Sequence, residues 1–451
     1  EHDLLEEVKP YRHAVGHSYR SHVPVEPYLS DQWYVKVTDD RLRGAAIDAM
    51  VPDQRAPFSE AYAYERKLNQ EQLSNDAAPP NGGAVNCKDQ LRFYPERYAK
   101  TFQHWHENLR DWCISRQLWW GHRIPVWHLY PGEGLTNTCD KSNPDTYLQE
   151  MYDRLTERIS NYLDACGEQG NYCFYPFQAD DIAVRVCTLT DRVDNALKSF
   201  RKFHKSYELQ LSPEKAELVD THIEEFEQAS EEASQLSEYV LSYSDNSIVQ
   251  DPDVLDTWFS SALWPMSTLG WPDNTPELQK WNPSNVLCTA REIITLWVSR
   301  MVMFNTYLHG QLPFTDVFIH AMIQDGHGQK MSKSLGNGVD PNDIIHSHGS
   351  DAMRFTLTSM TTQTQDVRMP VDMVCPHTQK MFTPKFVVTG SHQSKVAAPV
   401  QDSPFAKGKK MVSSFGLATG QASPTDEMPA ARNTSEKFDY GRNFANKLWN
   451  A

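Results

Sequence analysis

Nowhere does this 451-residue chain run to the roughly 18 uncharged apolar residues that a membrane-spanning helix needs. Its opening, EHDLLEEVKP, lacks the basic-then-apolar order of a secretion signal. Cysteine is sparse: Cys87, Cys113, Cys139, Cys166, Cys173, Cys187, Cys288 and Cys375 are scattered, with no CxxC pair. That excludes a disulfide-stapled secreted scaffold and points to a reducing, cytoplasmic location. Positive charge is also short, 43 Lys and Arg against 59 Asp and Glu, for a net charge of -16. A chain so acidic does not coat nucleic acid indiscriminately, because phosphate contacts need clustered cations. Much of the acidic excess sits in residues 214–238, however, so a local nucleic-acid-binding surface elsewhere stays open.

What is present suits a globular protein of two or three units, since single cores stop growing beyond about 250–300 residues. Residues 1–45 hold Pro-punctuated extended runs such as VPVEPYLSDQWYVKV, and NDAAPPNGGAVN at 75–86 reads as a loop. From Leu91 a strand is expected to pass into an amphipathic helix with Trp105, Leu109 and Trp112 on one face, broken at Gly121 and Pro125. Residues 131–250 read as a helical insertion. Leu148, Met151, Leu155, Ile159 and Tyr162 form one stripe, starting near Asp145; Val219, Ile223, Phe226 and Leu236 lie on another after Pro213, with a third helix near 189–208. Residues 251–360 alternate strand-like runs (NVLCTA, DVFIHAMI) with helical ones (REIITLWVSRMVMFNTYLHG), the signature of an α/β layer. Residues 375–436, rich in Pro, Ser, Thr and Lys, are expected to be a poorly ordered low-complexity insertion, and 437–451 to open another helix.

One string carries chemistry. QDGHGQKMSKSLGNGVDP, residues 324–341, sets Lys330, Met331, Ser332, Lys333 and Ser334 between pairs of glycines. Glycines let a backbone bend close to a ligand, and two lysines on a mobile loop follow charge building on a triphosphate. On residue types alone a Lys- and Ser-rich turn is a solvated surface loop. The intact KMSKS, following a strand and preceding a DP helix start, instead resembles the signature loop of class I aminoacyl-tRNA synthetases.

Further strings resemble the valyl-tRNA synthetase family in particular: VEPYLSDQWYV at 25–35, DWCISRQLWWGHRIP at 111–125, DPDVLDTWFSSALWPMSTLGWP at 251–272 and GRNFANKLWNA at 441–451. That family's second signature, of the His-Ile-Gly-His type, does not occur; AVGH at 14–17 begins with Ala14 and lacks the strand context. The resemblance implies an α/β fold: the C-terminal half of a Rossmann-type nucleotide-binding domain with helical insertions and the start of a helical anticodon-binding domain. Its segments would be an editing-domain border at 1–40, catalytic core with a loop insertion at 41–130, the helical insertion at 131–250, core with the KMSKS loop at 251–374, the low-complexity insertion at 375–436 and the first anticodon-domain helix at 437–451. The substrates implied are valine, ATP with Mg²⁺ and tRNA(Val), in a monomer without editing activity.

By the same resemblance Lys330 and Lys333 neutralise the β and γ phosphates, with Lys333 the essential contact. Thr289, Ala290, Glu292 and Ile293 stand where the family holds adenosine, although relatives often carry Ser-Gly-Phe-Asp there. Trp120 and Trp258 match the walls of the amino-acid pocket; taken alone, each indole reads as core. His13, His17 and His22 cluster in RHAVGHSYRSH, but three histidines on an irregular segment read as surface, and no metal is expected. An isoleucyl-tRNA synthetase is the alternative that DTWFSSALW disfavours. A non-catalytic nucleotide- or tRNA-binding fragment is the other, because without the His-Ile-Gly-His region the chain is expected to be inactive alone, with an open sheet edge that lowers solubility.

Overall fold

Ser284–Ala290, Phe314–His320 and Arg92–Tyr94 form a parallel three-stranded sheet with Phe314–His320 at its centre. The computed structural model describes residues 15–16, 24–25, 30–73, 87–129, 144–176, 183–198, 248–361, 366–389 and 393–451. They cluster into two units, one of Glu1–Val35 with Trp112–Thr257, the other of Lys36–Asp111 with Trp258–Ala451.

The second unit holds the parallel sheet. Parallel neighbours need a crossover, and the one between Ser284–Ala290 and Phe314–His320 passes through helical turns at 291–298 into the helix Ser299–His309. That helix is buried along most of its length, Ser299, Asn305 and Thr306 included; Met301 and Val302 are fully buried, each contributing about 2 kcal/mol of burial. It stops at Gly310, which takes the left-handed conformation (φ 78°) suited to a residue without Cβ. Asn282 and Asn305 exchange buried amide hydrogen bonds of 2.9 and 3.1 Å across this layer. The expected helix after Leu91 is shorter than its aromatic spacing suggests: it spans Arg97–Glu107, and Trp112 lies in a strand. Trp112 leaves the helix because its indole donates to buried Asp256 (3.1 Å), which also pairs with Arg116.

Beyond the sheet, Ile323–Asp325 pairs in parallel with Val367–Met369. Two helices lie between, Pro341–His348, capped by Asp340 at the Asn342 amide (2.8 Å), and Ser350–Met360. The helix expected at 437–451 spans Lys437–Trp449 and packs on Ser350–Met360, with Phe355 and Phe444 stacked at 4.0 Å. Gly441 makes that crossing: a Cβ there would stand 2.2 Å from the Ala352 carbonyl oxygen and 2.3 Å from Thr356 Oγ1. Gly441→Ala is therefore expected to cost about 2–3 kcal/mol through overpacking. Urea unfolding checks this, and an unchanged midpoint would refute so close a crossing.

The expected disorder at 375–436 is corrected. The segment folds as short antiparallel strands: Asp372–Val374 between Met381–Phe382 and Arg432–Thr434, the hairpin Phe386–Thr389 with Ser394–Ala397, and Val400–Asp402 with Lys410–Val412. Met373, Cys375, Met411 and Ala431 form its small core. Polar side chains close its turns, with Cys375 Sγ and Ser403 Oγ 3.3 Å apart between two of them.

In the first unit, the insertion expected to be helical supplies most of a sheet. Val126–Leu129 pairs with Val184–Thr188 and Ile248–Gln250, and Tyr172–Phe174 adds at the edge. Val184, Val186 and Thr188 point inward at the strand period of two. One expected helix is present, Pro144–Ala165, whose Leu155, Ile159 and Leu163 pack on Trp127 and Val186. Residues 191–198 are helical, matching part of the third; the stripe at 219–240, the loop at 75–86 and His13, His17 and His22 lie outside the described residues.

Candidate functional site: a lysine loop over the edge of a parallel sheet

Ligands of open parallel α/β sheets bind beyond the C-terminal ends of the strands. Thr289 and Ala290 occupy that position, in register with Ile319 and His320. Thr289 is buried, while Glu292 and Ile293 follow in the first helical turn, facing partly to solvent. The lysine loop meets this turn, for Lys330 Nζ pairs with the Glu292 carboxylate. The neighbouring Arg291 pairs with Asp366 (2.6 Å), which also accepts from Gln324 Nε2 (3.0 Å), the residue bridged to Lys330. Of the residues expected to bind nucleotide, Glu292 and Lys330 are thus brought together by direct contact.

Within the loop the five KMSKS residues are not equivalent. Met331 packs against a cluster containing Ile344, Met369 and Phe438, anchoring the crown from beneath. Ser332 donates its amide to Asn337 Oδ1 (2.9 Å) and accepts from the Leu335 amide (3.2 Å). Ser332 and Ser334 share a hydroxyl contact of 3.2 Å. Lys333 is exposed, and its ammonium has no partner among the described residues. One lysine is engaged and one stands free, an arrangement suited to following a charged ligand.

Two residues that the sequence reading passed over organise the loop. Asp325, 4% exposed, accepts from the amides of His327 and Gln329 (both 2.9 Å), from Gln329 Nε2 (2.8 Å) and from Asn337 Nδ2 (2.9 Å). Burial pushes its carboxyl up, but these hydrogen bonds, led by that from Asn337, outweigh burial and hold it below the usual carboxylate range. Asn337 ties the two legs together, since its side chain meets Asp325, the Lys330 carbonyl (3.3 Å) and the Ser332 amide. The Asp-Gly pair at 325–326 is the one signal in the sequence that could have marked the first of them, as a turn.

The pocket tryptophans fall on separate units. Trp120 is 83% exposed in the first unit, beside the equally open Trp119, and Trp258 is half-buried in the helix Thr257–Ser267, within the second. Among the described residues no group of three or more His, Cys, Asp or Glu could hold a metal, and no helix is long and apolar enough to cross a membrane.

A parallel sheet with a glycine-flanked lysine loop paired to its strand end defines an α/β protein, and comparison with known proteins places it further. The family model for class I tRNA synthetases (I, L, M and V) matches residues 81–162 and 200–370, more than half of the chain. The chain belongs to the class I tRNA synthetase family. It is similar to the valine–tRNA ligases of Rhodopirellula baltica (36% identity over 450 residues, 99% of this chain and 33% of that protein), Cereibacter sphaeroides (35% over 377 residues, 81% and 31%) and Petrotoga mobilis (32% over 368 residues, 82% and 27%). The chain therefore spans about a third of the length of the relatives it matches. A solved ternary complex of Agrobacterium radiobacter K84 agnB2 LeuRS with tRNA and LeuAMS aligns over 58% of this chain and 25% of that one, at 20% identity and a TM-score of 0.30, too loosely to argue from.

Proposed function

We propose that the chain is the KMSKS-bearing part of a valine–tRNA ligase, which activates valine with ATP and passes it to tRNA(Val). The observation that carries the reading is the pairing of Lys330 with Glu292, which sets the signature loop over the strand end where an adenosine would lie. In this reading the valine carboxylate attacks the α phosphorus of ATP and pyrophosphate leaves; a hydroxyl of the terminal ribose of the tRNA then attacks the carbonyl of the valyl-adenylate, and AMP leaves. Mg²⁺ would supply further neutralisation of the phosphates.

The positions of this chain's residues support a role for each. Thr289, Ala290 and Ile293 line the adenosine side, and Glu292 accepts a ribose hydroxyl once Lys330 leaves it for phosphate. Lys333, free at the crown, meets the β and γ phosphates as charge builds on them, which is stabilisation specific to the transition state. Within the second unit, Trp258 walls the side-chain pocket for valine. The protein acts as a cytoplasmic monomer, and because the sequence holds no His-Ile-Gly-His motif, the chain alone is expected to be inactive.

Valine-dependent exchange of pyrophosphate into ATP tests this, comparing the chain alone with the chain joined to the upstream nucleotide-binding half of a valine–tRNA ligase. Activity is expected only in the joined protein, with a fall of about 10²–10³-fold in Lys333→Ala, the size seen when one transition-state donor is removed. Exchange supported by isoleucine instead of valine would favour the isoleucyl reading. No exchange in the joined protein, with nucleotide binding retained, would favour a non-catalytic binding role.

A further inference from the structure

The β-segment at 372–434 touches the lysine loop on both of its legs. On the entering leg, Gln329 Oε1 accepts from the Lys395 amide (2.8 Å) while Gln329 Nε2 donates to the Lys395 carbonyl (2.7 Å) and to Asp325. The side-chain amide thereby acts as one more strand residue for the hairpin that holds Ser394–Ala397. His327, two residues earlier, sets its ring edge-on to Phe386 of the same hairpin, centroids 4.7 Å apart. On the leaving leg, Asn433 Nδ2 donates to both the Gly336 (2.8 Å) and Gly338 (2.7 Å) carbonyls. Gly336 takes φ 57° directly against the helix Ser414–Thr419, where a Cβ would lie 2.2 Å from the Phe415 nitrogen. Between these two grips lies a cavity of about 340 Å³, lined by Asp325, Asn337, Asp372, Phe386, Lys395 and Asn433 among others.

We propose that the segment 372–434 is a brace for the lysine loop, with Gln329 and Asn433 as positioning residues. Both legs of the loop are gripped while Lys333 at its crown stays exposed, so the base is held and the Lys333 side chain keeps its freedom. A loop that must meet developing charge within a fraction of an ångström gains from such a restraint, because misplacement by about 1 Å costs on the order of 10²-fold in rate. The contacts themselves need no assumption about the reaction; the catalytic consequence rests on the reading given above.

Site-resolved trypsin cleavage of the 451-residue chain tests the brace without any assay of activity, since Lys330 and Lys333 are themselves cleavage sites. Gln329→Ala and Asn433→Ala are expected to speed cleavage after these lysines about tenfold while leaving the urea midpoint and cleavage after Lys437 nearly unchanged. Asn433→Asp keeps the shape but turns a carboxylate on two carbonyl oxygens, so it should exceed the alanine variant. Unchanged loop cleavage in Gln329→Ala and Asn433→Asp, or cleavage rising only with global unfolding, would overturn the brace. In the joined protein the same variants should lower kcat for exchange about tenfold with KM for valine within twofold. Faster cleavage with unaltered kcat would remove the positioning role, whereas wild-type exchange failing altogether would count against the synthetase reading and leave the cleavage result to decide the brace.

Discussion

Asp325→Ala is expected to lower the stability of the second unit by roughly 3–5 kcal/mol, the cost of stripping a buried charged acceptor from its partners. Four donors converge on this carboxylate, two backbone amides and two side-chain amides, and the side chain is 4% exposed. Asp325→Asn tests whether charge or shape matters: it fits the space but points an NH₂ at groups that are themselves donors, so most of the loss should persist. Because the folded carboxyl lies below its unfolded value of about 3.9, its contribution is present above that pH and disappears as pH falls through the folded value. Urea midpoints at pH 7 and pH 3 measure both effects, and an alanine variant within about 0.5 kcal/mol of wild type would show that Asp325 does not hold the loop. In the joined protein the same substitution should cut exchange on the order of 10²-fold through misplacement of Lys330 and Ser332.

The residues proposed to touch phosphate were legible in the sequence, and the residues that hold them were not. KMSKS is a contiguous string bracketed by glycines, and the runs at 284–290 and 314–320 show strand composition at the edges of a helical pattern, so the loop, the sheet and Glu292 could be read off one after another. Asp325 and Asn337 lie on different legs of the loop, polar, and unmarked by any period; only folding brings them to 2.9 Å. The segment at 375–436 misled for a related reason. Its strands are two to four residues long, too short to display alternation, and polar side chains close its corners. Gln401, for example, exchanges hydrogen bonds of 2.9 Å with both backbone groups of Lys385, and Ser413 caps the Gly416 amide (3.1 Å). Composition rich in Ser, Thr and Lys reads as linker unless the geometry of each turn is known. At 184–188 the signal was present, Val184 and Val186 alternating with polar neighbours, but the longer helical stripes nearby outweighed it.

His106 makes the second unit sensitive to mild acid. It sits on the helix Arg97–Glu107, fully buried, with Nδ1 at 2.7 Å from the Phe102 carbonyl and Nε2 at 3.0 Å from Ser299 Oγ. Nδ1 must therefore carry the proton and Nε2 accept the serine hydroxyl, an arrangement that holds only for the neutral ring. Burial pushes its pKa down to about 4, with the Arg43 guanidinium adding to the fall and the Phe102 carbonyl opposing it. Between the unfolded value of about 6.5 and that folded value, the unfolded chain binds a proton that the folded chain refuses, so stability is full above pH 6.5 and drains as pH falls. The gap corresponds to about 3 kcal/mol by pH 4. Ser299 is the first residue of the crossover helix that follows the Glu292 turn, so protonation is expected to loosen the layer next to that turn. His106→Gln should be less stable than wild type at pH 7.5 yet lose less between pH 6.5 and 4.5, bringing the two curves together. Urea midpoints across that range decide it: parallel curves for the two proteins would mean that His106 titrates alike in the folded and unfolded chain, and that the acid sensitivity comes from elsewhere.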